Sequence, residues 1–100
     1  MNFSFEKQGY VGVLKFYGEL TLKRASELKE ALMLSLDNTD YLVVNLQSVS
    51  LSNCVSLIPI LSAHNNASKH NKSVKLIGID KEAVKCAAKY YKYSDSKSVA

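Results

Sequence analysis

The stretch that decides the fold is YLVVNLQSVSLSNCVSLIPILSAHNNA, residues 41–67, within which the spacing of apolar residues changes. Residues 41–46 form an almost continuous apolar run, typical of a strand covered on both faces. Pro59 lacks a backbone N–H and is tolerated in a first helical turn, so we predict a helix with Ser56 as its N-cap and residues 47–55 as the preceding loop. The inward side of that helix follows from three- and four-residue steps: Leu57, Ile60, Leu61 and Ala67.

The sequence before this stretch alternates between strand and helix patterns. Residues 10–17 predict a strand that ends at Gly18, and Phe3 and Phe5 predict a short strand that pairs with it through a turn at 7–9. Thr21 is predicted to cap a first helix, which residues 37–40 end. The core-facing residues of that helix are predicted from their spacing: Ala25, Leu28, Leu32 and Leu36.

The sequence after this stretch adds one more strand and one more helix. Residues 74–79 predict the strand, and Asp80 is predicted to cap the helix. One side of the helix carries Val84, Ala87, Ala88 and Tyr91, and another carries Lys81, Lys85 and Lys89. The order β-β-α-β-α-β-α predicts an α/β domain over residues 1–100, with a mixed sheet of four or five strands, three or four helices packed on it, and a disordered tail from about residue 94.

Composition and charge favour a cytoplasmic protein without a membrane span. The formal net charge is +4, and the lysines are dispersed, which argues against nucleic acid as the partner. The N-terminus lacks the pattern of a secretion signal, and no apolar run reaches the roughly 20 residues that cross a bilayer. Cys54 and Cys86 are too few for a disulfide scaffold and lack metal-site spacing, so we expect reduced thiols.

Three stretches together resemble a known family. Gly18-Glu19-Leu20 closes a strand before a helix, residues 42–51 form a hydrophobic strand with a following loop, and residues 74–78 form a later strand. In this order they are similar to the STAS domain, the module of bacterial anti-sigma-factor antagonists that also occurs in sulphate transporters. The resemblance covers residues 3–93. It implies a STAS-like fold and a role in signal transduction and transcription regulation through protein binding.

The family's signature differs at the start of the second helix. Antagonists carry Asp-Ser-(Ser/Thr/Ala)-Gly there, and the first serine accepts phosphate from a partner kinase. This chain has Asn53, Cys54, Val55 and Ser56 at those positions, so Cys54 occupies a degenerate phosphoacceptor position. The resemblance therefore implies that the phosphorylation switch is lost, or has moved to Ser52 or Ser56.

We expect a docking protein that is not an enzyme, without catalytic residues, metal or cofactor. Its partner-binding surface is predicted at the loop and the exposed side of the second helix, where Leu51 and Val55 add apolar contacts if they are exposed. The predicted surface residues are Ser48, Leu51, Ser52, Asn53, Cys54, Val55 and Ser56. The resemblance implies an anti-sigma factor, a histidine-kinase-like ATPase or other STAS domains as partners.

Two alternatives remain open at this point. A thiol switch at Cys54 is one, because a cysteine beside a helix start can form a thiolate. A small nucleic-acid-binding protein is the other, with the three lysines of the last helix and the neighbouring tyrosines as its surface. His64 and His70 are six residues apart and do not share a helix face, so we expect surface histidines rather than metal ligands.

Overall fold

The computed structural model describes the backbone of residues 2–99 and the side chains of residues 2–90. The strands are β1 (Asn2–Gln8), β2 (Val11–Leu20), β3 (Tyr41–Leu51) and β4 (Ser73–Ile77). The helices are α1 (Leu22–Leu36), α2 (Ile58–Lys69) and α3 (Lys81–Val99), with a short 3-10 helix at Cys54–Leu57 before α2. The sheet order is β1-β2-β3-β4, with β1 antiparallel to β2 and the other pairs parallel. The predicted α/β class and element order are confirmed.

The hydrophobic core lies between one face of the sheet and the helices. The middle strands contribute alternate residues, among them Phe16, Leu42 and Val44, all nearly fully buried. The opposite face carries Tyr41, which is 57% exposed, and the half-buried Val43. The prediction that residues 41–46 are covered on both faces is therefore wrong, because the helices cover one face and the burial of β3 alternates.

Side-chain caps fix the starts of two helices as the sequence predicts. The Thr21 hydroxyl accepts a hydrogen bond from the backbone N–H of Arg24 at 3.3 Å. The Asp80 carboxylate accepts one from the N–H of Glu82 at 3.1 Å. The lysines of α3 are exposed as expected, namely Lys81, Lys85 and Lys89. The prediction for Tyr91 concerns a side chain outside the described ones, and the predicted tail lies within the last turns of α3.

Candidate functional site: the corner where β3 meets the 3-10 helix

The second half of β3 differs from its prediction as a loop. β3 continues as a strand to Leu51, and its register with β2 shifts, because Asn45 pairs with Lys15 whereas Ser48 pairs with Tyr17. One extra residue in β3 forms a bulge, and the Asn45 side-chain oxygen accepts the Gln47 N–H there at 2.9 Å. The described part of β4 ends opposite Asn45, so beyond the bulge β3 pairs with β2 alone within the described sheet.

The bulge also decides which side chains of β3 reach the surface. Ser48 and Ser50 are exposed, whereas Val49 and Leu51 are half-buried and pack against the core. Leu51 was predicted to add apolar contact area if it is exposed, and it is half-buried because its pairing with buried Leu20 turns it toward the core. Val55 is also half-buried, which leaves a mainly polar surface.

Internal hydrogen bonds hold the turn into the 3-10 helix. The N–H and the hydroxyl of Ser52 both donate to the Leu20 carbonyl, at 3.3 and 3.1 Å. The Asn53 side-chain oxygen accepts the Val55 N–H at 3.0 Å, so Asn53 caps the 3-10 helix. Ser56 is only 1% exposed and is not the N-cap, because the 3-10 helix begins before it. Leu57 precedes α2 without a side-chain cap.

The predicted binding residues lie close together along the chain but differ in accessibility. Ser48, Ser52 and Asn53 are exposed, Leu51, Cys54 and Val55 are half-buried, and Ser56 is buried. Two further residues complete the surface, because Glu19 pairs with Ser50, and the Arg24 guanidinium donates to the Glu19 carbonyl at 3.2 Å. We call this set the corner surface: Glu19, Arg24, Ser48, Ser50, Ser52 and Asn53. The alternation of exposed serines at 48, 50 and 52 was the sequence signal for a strand there.

The two cysteines form a disulfide, which contradicts the expectation of reduced thiols. Cys54 in the 3-10 helix and Cys86 in α3 are bonded, with their Cα atoms 6.1 Å apart. The two residues are 32 positions apart, and only the packing of α3 against the 3-10 helix makes them neighbours.

The remaining candidates form no comparable cluster within the described residues. His64 is half-buried, while His70 is exposed with its Nδ1 2.9 Å from the Asn66 carbonyl oxygen. Among residues with described side chains, no three of His, Cys, Asp or Glu are placed to hold a metal ion. Among the lysines considered for nucleic-acid binding, the Lys85 ammonium nitrogen lies 3.9 Å from a carboxylate oxygen of Glu82. No helix in the part of the chain that the structure describes is long and apolar enough to cross a membrane.

A shallow polar cleft lies at the other end of the parallel strands from the corner surface. It has a volume of about 260 Å³ and is lined by residues from the β1–β2 turn and the α1–β3 connection, including Tyr10, Asp37, Asp40 and Tyr41. The Lys7 ammonium donates to the Asn38 carbonyl at 3.1 Å beside it. The sequence singled out none of these residues for a site, and the cleft is open to solvent.

Solved structures share this fold although sequence comparison finds no relative. No protein-family model and no curated protein matches the sequence. The unphosphorylated anti-sigma factor antagonist SpoIIAA superposes with a TM-score of 0.66 at 12% identity, over 85% of this chain and 80% of that one. An antisigma-factor antagonist STAS domain from Rhodobacter sphaeroides superposes with a TM-score of 0.64 at 14% identity. The match covers 77% of this chain and 85% of that one. Mglu superposes with a TM-score of 0.67 at 18% identity over 78% of this chain. The match spans only 20% of the Mglu chain. The chain therefore has a STAS-like fold.

Proposed function

We propose that this chain is a regulatory protein-binding module of the anti-sigma-factor-antagonist type, which docks onto a partner rather than catalysing a reaction. The observation that carries the proposal is the corner surface. Its exposed polar side chains lie on a segment of backbone that side-chain hydrogen bonds hold in place. Ser52 fixes it to the end of β2, and Asn53 fixes the start of the 3-10 helix. A surface held in one conformation loses little conformational entropy on binding, which favours specific docking.

The partner that fits this surface offers complementary hydrogen-bonding groups and charges. The corner surface presents hydroxyl and amide groups together with one acidic and one basic side chain, Glu19 and Arg24. Docking in signal transduction and transcription regulation then involves an anti-sigma factor, a histidine-kinase-like ATPase or other STAS domains in a bacterial cytoplasm. Disulfides are rare in that compartment, so a cytoplasmic location requires the Cys54–Cys86 bond to be transient.

Regulation by serine phosphorylation is not part of the proposal. Cys54 occupies the position that resembles the phosphoacceptor, and its sulfur is engaged in the disulfide. Ser56 is buried against the core, where a kinase cannot reach its hydroxyl. Ser52 is exposed, but its hydroxyl already donates to the Leu20 carbonyl. These placements support docking that is independent of phosphate.

The test compares substitutions inside and outside the corner surface. Ser50→Arg and Asn53→Arg place a bulky cation in it, whereas Ser4→Arg places the same cation on exposed β1. Candidate partners of the three classes are purified, and their affinities are measured by calorimetry on folded variants. We expect the affinity to fall at least tenfold for Ser50→Arg and Asn53→Arg, and less than twofold for Ser4→Arg. Equal affinities for all three variants would contradict the assignment of the surface.

Phosphorylation is tested on the same proteins. The chain is incubated with ATP and the histidine-kinase-like ATPase that binds it, and the peptides are analysed by mass spectrometry. We expect no phosphate on Ser52 or Ser56. Stoichiometric phosphate on either serine would refute the phosphate-independent mechanism while leaving the docking surface in place.

A further inference from the structure

We propose that Cys54–Cys86 is a thiol–disulfide exchange site for low-molecular-weight thiols, and that its reduction in the folded chain releases α3 from the 3-10 helix. The inference goes beyond docking, because it concerns a covalent modification of this chain whichever partner it binds. It rests on three features: the partial exposure of the two cysteine residues, the small apolar burial of residues 81–90 of α3, and the position of the bond.

The two residues that form the bond keep part of their surface in solvent. Cys54 and Cys86 are both half-buried rather than enclosed in the core. Cys54 directly follows exposed Ser52 and Asn53, and Cys86 directly follows exposed Lys85. A small thiol can therefore approach the bond from solvent, which is the condition for exchange in the native state.

The described side chains of α3, residues 81–90, bury less apolar surface than those of α1. Within residues 81–90, the fully buried side chain is Ala87, and Ala83 and Val84 pack half-buried against the core. α1 by contrast buries Leu28 and Leu32 completely. Hydrophobic stabilisation scales with the apolar area removed from water, and alanine removes little. The covalent bond is therefore a large part of what keeps this segment of α3 against the 3-10 helix.

Reduction of the bond consumes two small thiols, and reduced glutathione is the thiol used as the probe. A glutathione thiolate attacks one sulfur of the protein, the S–S bond breaks, and the other cysteine leaves as a thiolate that takes up a proton. A second glutathione thiolate attacks the glutathione sulfur of the resulting mixed disulfide, and the protein sulfur leaves as a thiolate that takes up a proton. Both protein cysteines end as thiols and one oxidised glutathione is released. Oxidised glutathione reverses the sequence and restores the bond beside the corner surface.

The first experiment measures whether exchange occurs in the folded chain. The oxidised chain is incubated with reduced glutathione at several urea concentrations below the unfolding transition, and the thiols are counted by mass after alkylation. We expect two thiols per chain, at a rate proportional to glutathione and independent of urea. A rate that rises steeply with urea would mean that reduction requires global unfolding, and the proposal would be wrong.

The second experiment measures the release of α3 by amide hydrogen exchange. Loss of any cross-link lowers protection throughout the chain, so the informative quantity is the change in α3 relative to β3. On reduction we expect exchange in residues 81–90 to accelerate at least tenfold more than in residues 42–46. Cys54→Ser and Cys86→Ser should both match the reduced chain, and Ser50→Ala should match the oxidised chain. Equal acceleration in α3 and β3 would refute the release. No partner is involved, so failure here leaves the docking proposal standing.

Discussion

The two halves of β3 have different neighbours and therefore different roles. Residues 41–45 pair with β2 on one side and β4 on the other, and Leu42 and Val44 are buried under the helices. Residues 48–51 pair with β2 and expose Ser48 and Ser50. The bulge between the halves changes the alternation, so a single strand provides core packing at one end and a polar surface at the other.

This difference shows how the fold supports a binding surface without a loop of its own. The first half is held by burial, which tolerates few changes in volume. The second half is held by hydrogen bonds at its end and by the disulfide that follows it. Substitutions in the two halves should therefore differ in their cost to stability.

The largest effect is expected in the buried half. Leu46 directly follows that half and is fully buried, and Leu46→Ala should lower the free energy of unfolding by about 4 kcal/mol, from lost transfer energy and a cavity. Ser48 lies two positions further and is exposed. Ser48→Ala should therefore change the free energy of unfolding by less than about 0.5 kcal/mol. Urea denaturation measures both. Similar losses of unfolding free energy in the two variants would mean that the two positions are equally packed.

A smaller effect is expected at the bulge itself. Gly78 has φ +77°, and a Cβ there would lie 2.6 Å from the backbone nitrogen of Gln47. Gly78→Ala should lower the free energy of unfolding by about 2–3 kcal/mol, because strain and a backbone clash add. Gly9 has φ +62° with no atom within 4 Å of such a Cβ, so Gly9→Ala should cost only about 1 kcal/mol. Equal thermal shifts would show that the contact with Gln47 can relax.

The smallest effect is expected at the turn after β3. Asn53→Ala removes the side-chain oxygen that accepts the Val55 N–H, and should lower the free energy of unfolding by about 1 kcal/mol. Asn53→Asp keeps an acceptor and should stay close to the wild type. Chemical denaturation of the two variants is the measurement. An equal loss for both would indicate that the amide group, rather than its oxygen, stabilises the turn.

Local sequence signals predicted most of the fold and only part of the candidate site. Thr21 and Asp80 cap their helices as predicted, because capping depends on a few neighbouring residues. The loop assigned to residues 47–55 was wrong over its first half, because strand pairing with β2 overrides its polar composition. Ser56 looked like a cap, yet Asn53 begins the turn three residues earlier.

The sequence by itself determined the α/β order, the inward-facing leucines of α1 and the helix caps at Thr21 and Asp80, since each arises from periodicity or from contacts within a few residues. Only the tertiary structure decided that Leu51 turns inward, that Glu19 joins the corner surface, and that Cys54 bonds to Cys86. The physical reason is that these features depend on strand register and on the packing of α3, which bring together residues far apart in the chain. Local patterns carry no information on such distances.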